Sequence, residues 1–96
     1  MTPATSFTVT VSPDVMADIE THCFSRLDVE VGGFLLGTID GDRVDVRAAR
    51  RAADVTAAQT KLTFTHETWN DVLDALPTEY AGQRIVGWYH SHPGFG

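Results

Sequence analysis

At 96 residues the chain is the size of one small domain, long enough to bury a modest core. A hydrophobic fraction of 43% argues against disorder, and a net charge of −6 argues against nucleic acid or an anionic membrane as the main partner. The single cysteine, Cys23, excludes an internal disulfide framework. Since neither a signal peptide nor a membrane-spanning apolar run is recognisable, a cytoplasmic location is predicted.

The first third of the chain predicts a strand followed by a helix. Residues Phe7–Val11 alternate between apolar and polar side chains, which indicates a half-buried strand. Ser12 and Pro13 form a helix-start signal, and apolar residues recur at helical spacing over residues 13–27. His22 lies within this helix, and we interpret it as a surface or rim histidine rather than a metal ligand.

The middle of the chain predicts a β-hairpin. Residues 31–40 form an apolar run typical of a central strand, and Asp40-Gly41-Asp42 is a hairpin turn signal. The return strand alternates strictly from Arg43 to Arg47 and is predicted to continue towards Asp54. Arg50 and Arg51 are interpreted as a solvated rim, with a docking patch for an acidic partner as the alternative.

The last part predicts a loop over residues 56–60, a strand over 61–65, a helix and a final strand. Thr65 can cap a helix that runs from His66 to about Leu76 and ends at Pro77, and His66 is interpreted as a capping or surface residue. Residues 84–91 then form a strand after a turn at Gly82. The resulting fold class is α/β (α+β), with a mixed, largely antiparallel sheet flanked by two helices.

The final strand ends in the pattern His90-Ser91-His92-Pro93. Because successive side chains of a strand point to opposite faces, His90 and His92 leave the same face, about 7 Å apart along the backbone. Two imidazoles at that spacing can converge on one zinc ion. The alternative is a pair of polar residues at the rim of a sheet, since most histidines are not ligands.

A carboxylate upstream makes the metal interpretation more specific. Glu30 begins the apolar run Val31-Gly32-Gly33-Phe34-Leu35-Leu36-Gly37, in which the glycine pair permits close approach of another backbone. A zinc hydrolase needs such a carboxylate near the attacking water to take its proton. The sequence therefore predicts a site built from Glu30, His90 and His92.

Together, the stretch from Glu30 to Gly37 and the stretch from Gly87 to Gly96 resemble the JAMM (MPN-plus) zinc metalloprotease family. The sequence from Gly87 to Gly96 is most similar to the branch that contains the proteasome-lid deubiquitinase, the signalosome deneddylase and their prokaryotic relatives. The resemblance covers essentially the whole chain as a single domain, residues 1–96, and implies the cytidine deaminase-like core of that family.

The resemblance implies an isopeptidase or peptidase that cleaves amide bonds at the tail of ubiquitin or a ubiquitin-like protein. Zinc would be the cofactor, His90 and His92 its ligands and Glu30 the general base. A protein conjugate or a ubiquitin-like sulfur carrier would be the substrate, and the sequence does not choose between them.

The family pattern also contains a Ser and a ligand Asp after the second histidine. Neither is present among the four residues that follow His92 in this sequence. We therefore expect a piece of a longer protein or a shortened relative, with weak or no activity of its own and self-association through a sheet edge or apolar patch left exposed. The alternative function is a non-catalytic MPN scaffold that pairs with another subunit.

Overall fold

The structure is a computed structural model that describes residues 6–52 and 64–92. Within those residues the elements run in the order strand, helix, two strands, helix, strand. They are β1 (Thr8–Val11), α1 (Pro13–Ser25), β2 (Gly32–Asp40), β3 (Arg43–Arg51), α2 (His66–Glu79) and β4 (Arg84–His90). The predicted loop over 56–60 and residues 61–63 of the predicted strand lie outside the described residues, and Thr65 belongs to no strand.

The four strands form one mixed sheet in the order β1-β3-β2-β4. β2 pairs antiparallel with both β3 and β4, whereas β1 pairs parallel with β3. β2 is central, as its continuous apolar run predicts, and the Gly41 and Asp42 turn joins it to β3, with Gly41 at a φ of 61°. The predicted mixed and largely antiparallel sheet is confirmed.

The first strand differs from its prediction. The alternating pattern predicts a half-buried strand, yet Val9 is 59% exposed and Phe7, just before β1, is 64% exposed. The reason is position, because β1 lies at the edge of the sheet and only β3 pairs with it among the described strands. Alternation alone does not tell an edge strand from a covered one.

The helices pack on opposite faces of the sheet. Phe34 and Leu36 of β2 pack with Val72 of α2 to form the core, and α1 contacts the other face through His22 and Tyr89. These faces follow from the pleat, since Tyr89 pairs with Gly33 and therefore points away from the side that Phe34 occupies.

Pro77 does not end α2, which continues to Glu79. Although proline removes one helical N–H, the last turn is held by Thr78, whose Oγ1 donates to the carbonyl of Ala75 at 3.3 Å. Leu76 and Tyr80 also pack against the core on either side of the proline. Thr65 caps the other end as predicted, its hydroxyl accepting from the Thr68 N–H at 3.3 Å.

Arg50 is not part of a solvated rim. Its guanidinium forms a bidentate pair with Asp71 of α2, at 2.8 and 3.0 Å, and its side chain is only 22% exposed. Arg51 points to the other face, where it remains exposed and pairs with Asp18 of α1 at 3.1 Å. Consecutive arginines at the end of β3 thus tie one helix to each face of the sheet.

None of the helices in the described part of the chain is both long and apolar enough to cross a bilayer.

Candidate metal centre

The end of β4 carries two neighbouring imidazoles. His90 is the last residue of the strand and pairs with Gly32 of β2, and His92 follows two positions later. Their ring centroids lie 4.9 Å apart with the planes inclined by 72°, and both side chains are exposed. The two rings therefore stand close together on one side of the backbone.

Glu30 approaches the same point from the segment just before β2. It lies two residues before Gly32, and its carboxylate, His90 and His92 each offer one ligand atom within 4.8 Å of the others. Two ligands about 2.1 Å from a tetrahedral ion would be about 3.4 Å apart. The three donors are thus close to the separation that a shared ion requires, and two imidazoles with a carboxylate form a set that zinc accepts.

Buried neighbours hold Glu30 in place. Val29 and Val31 on either side of it are only 3% and 5% exposed, whereas Glu30 itself is half-buried. The chain immediately after it joins β2, between β3 and β4. The carboxylate therefore stands on an anchored segment at the rim of the sheet, open enough to reach a substrate.

Ser91, between the two histidines, is a residue whose contacts sequence reasoning missed. Its N–H donates to the carbonyl of Val31 at 2.8 Å, and its hydroxyl accepts from the N–H of Val31 at 3.0 Å. Ser91 is 8% exposed. The His-x-His spacing indicates a role for the two histidines only. The contacts of Ser91 are not visible in the sequence, because its partner Val31 is 60 positions away.

The prediction that His22 is a surface residue is wrong, because its side chain is 8% exposed. α1 turns it towards the sheet, where Nδ1 lies 2.7 Å from the hydroxyl of Tyr89 and the rings meet edge to face. Burial, followed by the nearby positive charge of Arg51, lowers the pKa of His22, against the opposing effect of Asp18. Burial also raises the pKa of Tyr89 to about 12, so that this phenol keeps its proton.

Neither His22 nor His66 joins the candidate centre. Within residues 6–52 and 64–92, Glu30, His90 and His92 are the residues that come together as potential metal donors. His66 is exposed at the first position of α2, where Thr65 supplies the cap.

Comparison with known proteins places these residues in a family. The family model described as JAB1/Mov34/MPN/PAD-1 ubiquitin protease matches residues 4–95. The chain is 37% identical over 76 residues to COP9 signalosome complex subunit 5 of Eremothecium gossypii and 31% identical over 91 residues to subunit 5b of Arabidopsis thaliana. These alignments cover 78% and 92% of this chain but only 18% and 25% of those relatives.

A solved structure supports the fold. The solution structure of a protein from Desulfitobacterium hafniense superposes with a TM-score of 0.69 at 22% sequence identity, covering 90% of this chain and 57% of that one. The likeness shows the same architecture of two helices and a mixed sheet. Because the family model matches almost the whole chain, residues 4–95, the chain belongs to the JAB1/Mov34/MPN/PAD-1 family.

Proposed function

We propose that this chain is the metal-binding part of a zinc-dependent isopeptidase that acts on ubiquitin or a ubiquitin-like protein. The observation that carries the proposal is the approach of the ligand atoms of Glu30, His90 and His92 to within 4.8 Å of one another, from the segment before β2 and from the end of β4. Membership of a ubiquitin-protease family and similarity to COP9 signalosome subunit 5 proteins support this reaction class. Those same names indicate assembly into a larger complex as a second proposal for this chain.

His90 and His92 would hold the ion. Zinc acts as a Lewis acid that polarises a carbonyl and makes a nearby water more acidic. Glu30 would accept the proton of the water that attacks the amide carbon and return it to the nitrogen that leaves. Because both imidazoles are exposed at the strand end while Glu30 is half-buried, an extended peptide can reach the centre from the solvent side.

The three donors allow two roles for Glu30. Catalytic zinc sites usually combine three protein ligands with one open position, so that Glu30 as third ligand would complete the set and leave no general base among the three. With Glu30 as a base, this cluster of described residues offers two imidazoles, and zinc would be held weakly by them alone. We propose the second arrangement, in which the 96-residue polypeptide expressed alone is a weak catalyst.

Zinc content and cleavage distinguish these roles. The experiment compares the unsubstituted chain with Glu30→Gln, His90→Ala and His92→Ala, and uses His66→Ala as the control for loss of an exposed histidine. Metal is measured by mass spectrometry after equilibration with zinc, and cleavage with ubiquitin carrying a fluorogenic amide at its C-terminus. We expect His90→Ala and His92→Ala to lose zinc, and Glu30→Gln to keep zinc while its cleavage rate falls at least about 100-fold.

Two results would contradict the proposal. Equal zinc content in the unsubstituted chain, His90→Ala and His92→Ala would show that the histidines hold no ion, which would favour the non-catalytic scaffold. Loss of zinc from Glu30→Gln would make Glu30 a ligand and remove it as the base. The cytoplasmic location and the relation to a prokaryotic branch stay predictions from the sequence.

A further inference from the structure

Just past the end of β4, the side-chain hydroxyl of Ser91 takes the place of its backbone carbonyl as a hydrogen-bond acceptor. In a regular antiparallel pair, two residues facing each other across hydrogen bonds exchange both N–H···O=C bonds. Ser91 and Val31 keep one of them, from the Ser91 N–H to the Val31 carbonyl at 2.8 Å. In the other direction the Val31 N–H donates to the hydroxyl of Ser91, at 3.0 Å.

The exchange leaves the Ser91 carbonyl facing an imidazole. Its oxygen lies 3.4 Å from Nδ1 of His90, a long hydrogen bond when that nitrogen carries the proton. A histidine that binds a metal usually donates its other ring N–H to a carbonyl or carboxylate, which fixes the tautomer and the ring orientation. With Nδ1 occupied in this way, Nε2 of His90 is the nitrogen left for an ion.

The hydrogen bond from the Val31 N–H to the Ser91 hydroxyl also bears on Glu30. Val31 is its immediate neighbour in the chain and is 5% exposed, so its N–H lies in a segment with little access to water. The two bonds to Ser91 therefore fix the spacing between the strand end that carries the histidines and the segment that carries the carboxylate. The region lies past the last paired residues, Gly32 and His90, and has no regular ladder of its own.

We propose that Ser91 is a positioning residue of the metal centre, a role that rests on the proposed function above. Its hydroxyl replaces its own carbonyl in the pairing with Val31, and the displaced carbonyl orients His90 while the hydroxyl fixes Glu30. Ser91→Ala removes the acceptor from a buried N–H and lets the Ser91 carbonyl move back into the ladder, away from His90. Ser91→Thr keeps the hydroxyl and should restore the arrangement.

The test begins without metal. In the unsubstituted chain at pH 8, nitrogen NMR of the imidazoles should show His90 protonated at Nδ1, and hydrogen exchange should show a protected Val31 amide. A proton at Nε2 of His90, or a Val31 amide that exchanges as fast as an unfolded one, would overturn the inference. These two measurements need no variant and remain decisive if Ser91→Ala fails to fold.

The second stage measures zinc affinity by competition with a chelating dye, and the absorption spectrum of the cobalt-loaded protein. Loss of a group that orients a metal ligand typically weakens metal binding about 10- to 100-fold. We expect a loss of that size and an altered cobalt spectrum for Ser91→Ala, with Ser91→Thr within about threefold of the unsubstituted chain.

Thr68→Ala is the matched control. Thr68 is buried on α2, at 2% exposure, and its hydroxyl lies 2.9 Å from that of Thr65, so the variant also loses a buried hydroxyl, but on α2 rather than beside the histidines. Its zinc affinity should be unchanged even though its stability falls. Equal affinities of Ser91→Ala and the unsubstituted chain would overturn the positioning role while the metal centre stands. An unsubstituted chain that binds no zinc would overturn both.

Discussion

His22 is the residue whose environment departs most from its appearance in the sequence. Burial keeps Tyr89 protonated, and its hydroxyl shares a hydrogen bond of 2.7 Å with Nδ1 of the buried His22 ring. Asp18 and Arg51 are the charged groups that act on this imidazole, with the Cys23 thiol close to Tyr89. Burial disfavours the charged form of the ring, and the positive charge of Arg51 adds to this effect.

The free energy of unfolding should therefore depend on pH through His22. Its pKa is lowered in the folded state, so the unfolded chain binds the proton more readily. The contribution is fully present above the unfolded pKa of about 6.5 and is lost as the pH falls from there towards the folded pKa. Urea unfolding between pH 7.5 and 5.5 should show falling stability, with a smaller slope in His22→Gln.

His66→Gln, at an exposed position, supplies the control for replacement of a histidine in that experiment. A slope equally steep in His22→Gln and in the unsubstituted chain would mean that other groups cause the loss of stability at low pH.

At the scale of single residues, the local sequence predicts a site only where its members are close together in the chain. His90 and His92 are two positions apart, so strand alternation alone predicts that they share a face. The contacts of His22 with Tyr89 and of Ser91 with Val31 join residues 67 and 60 positions apart. Such pairs depend on the register of the sheet and the rotation of α1, which no local pattern contains.

Within the elements, Gly37 is required by a close approach of two backbones. The register between β2 and β3 shifts between Leu36 and Gly37, and a Cβ at Gly37 would overlap the carbonyl of Asp45. Gly37→Ala should lower the free energy of unfolding by about 3 kcal/mol, since backbone rather than a side chain must move.

Gly87→Ala is the matched control on β4, where the added methyl would meet only the Leu35 side chain at 3.5 Å. Its effect on stability should stay within about 1 kcal/mol. Equal midpoints of the two variants in chemical denaturation would show that the bulge adjusts to a side chain.

The bidentate pair between Arg50 and Asp71 fastens α2 to the end of β3. Arg50 lowers the pKa of Asp71 through these hydrogen bonds, and the Asp71 side chain is 37% exposed, so solvent screens part of the attraction. We expect Asp71→Asn to cost about 1 kcal/mol of stability. Asp74→Asn, on the same helix, should cost little because Asp74 takes part in none of the ion pairs found among the described residues; an equal loss would contradict this account.

The elements themselves were the most predictable level. Ser12 and Thr65 each cap the helix that the sequence assigns to them, and the Gly41 turn forms the hairpin. Errors arise where packing outweighs a local signal, as at Pro77, which the core contacts of Leu76 and Tyr80 keep inside a helix. The prediction that Arg50 belongs to a solvated rim is wrong because its partner, Asp71, lies on another element, α2.

At the scale of the whole molecule, the two outer strands of the described sheet, β1 and β4, each carry an exposed apolar side chain. Trp88 on β4 is 64% exposed and Val9 on β1 is 59% exposed. Exposed edge strands favour association between chains. We expect the 96-residue polypeptide to associate at high concentration, and Trp88→Lys to shift the equilibrium towards monomer in light scattering.

Leu73→Lys tests whether the edge or mere hydrophobicity matters. Leu73 is 52% exposed but lies on α2 rather than on a strand. A shift towards monomer in Leu73→Lys as large as that in Trp88→Lys would assign association to α2 rather than to β4.

The position of the three donors in the chain also sets the order of events during folding. The β2–β3 hairpin needs only its two-residue turn, whereas β4 joins β2 after closure of a loop that separates Val31 from Ser91 by 60 positions. Contacts that close long loops form late. If Glu30 meets the histidines only after the rate-limiting barrier, zinc would hardly change the folding rate and would instead slow unfolding. Bound metal would then prolong the lifetime of the folded domain without accelerating its formation.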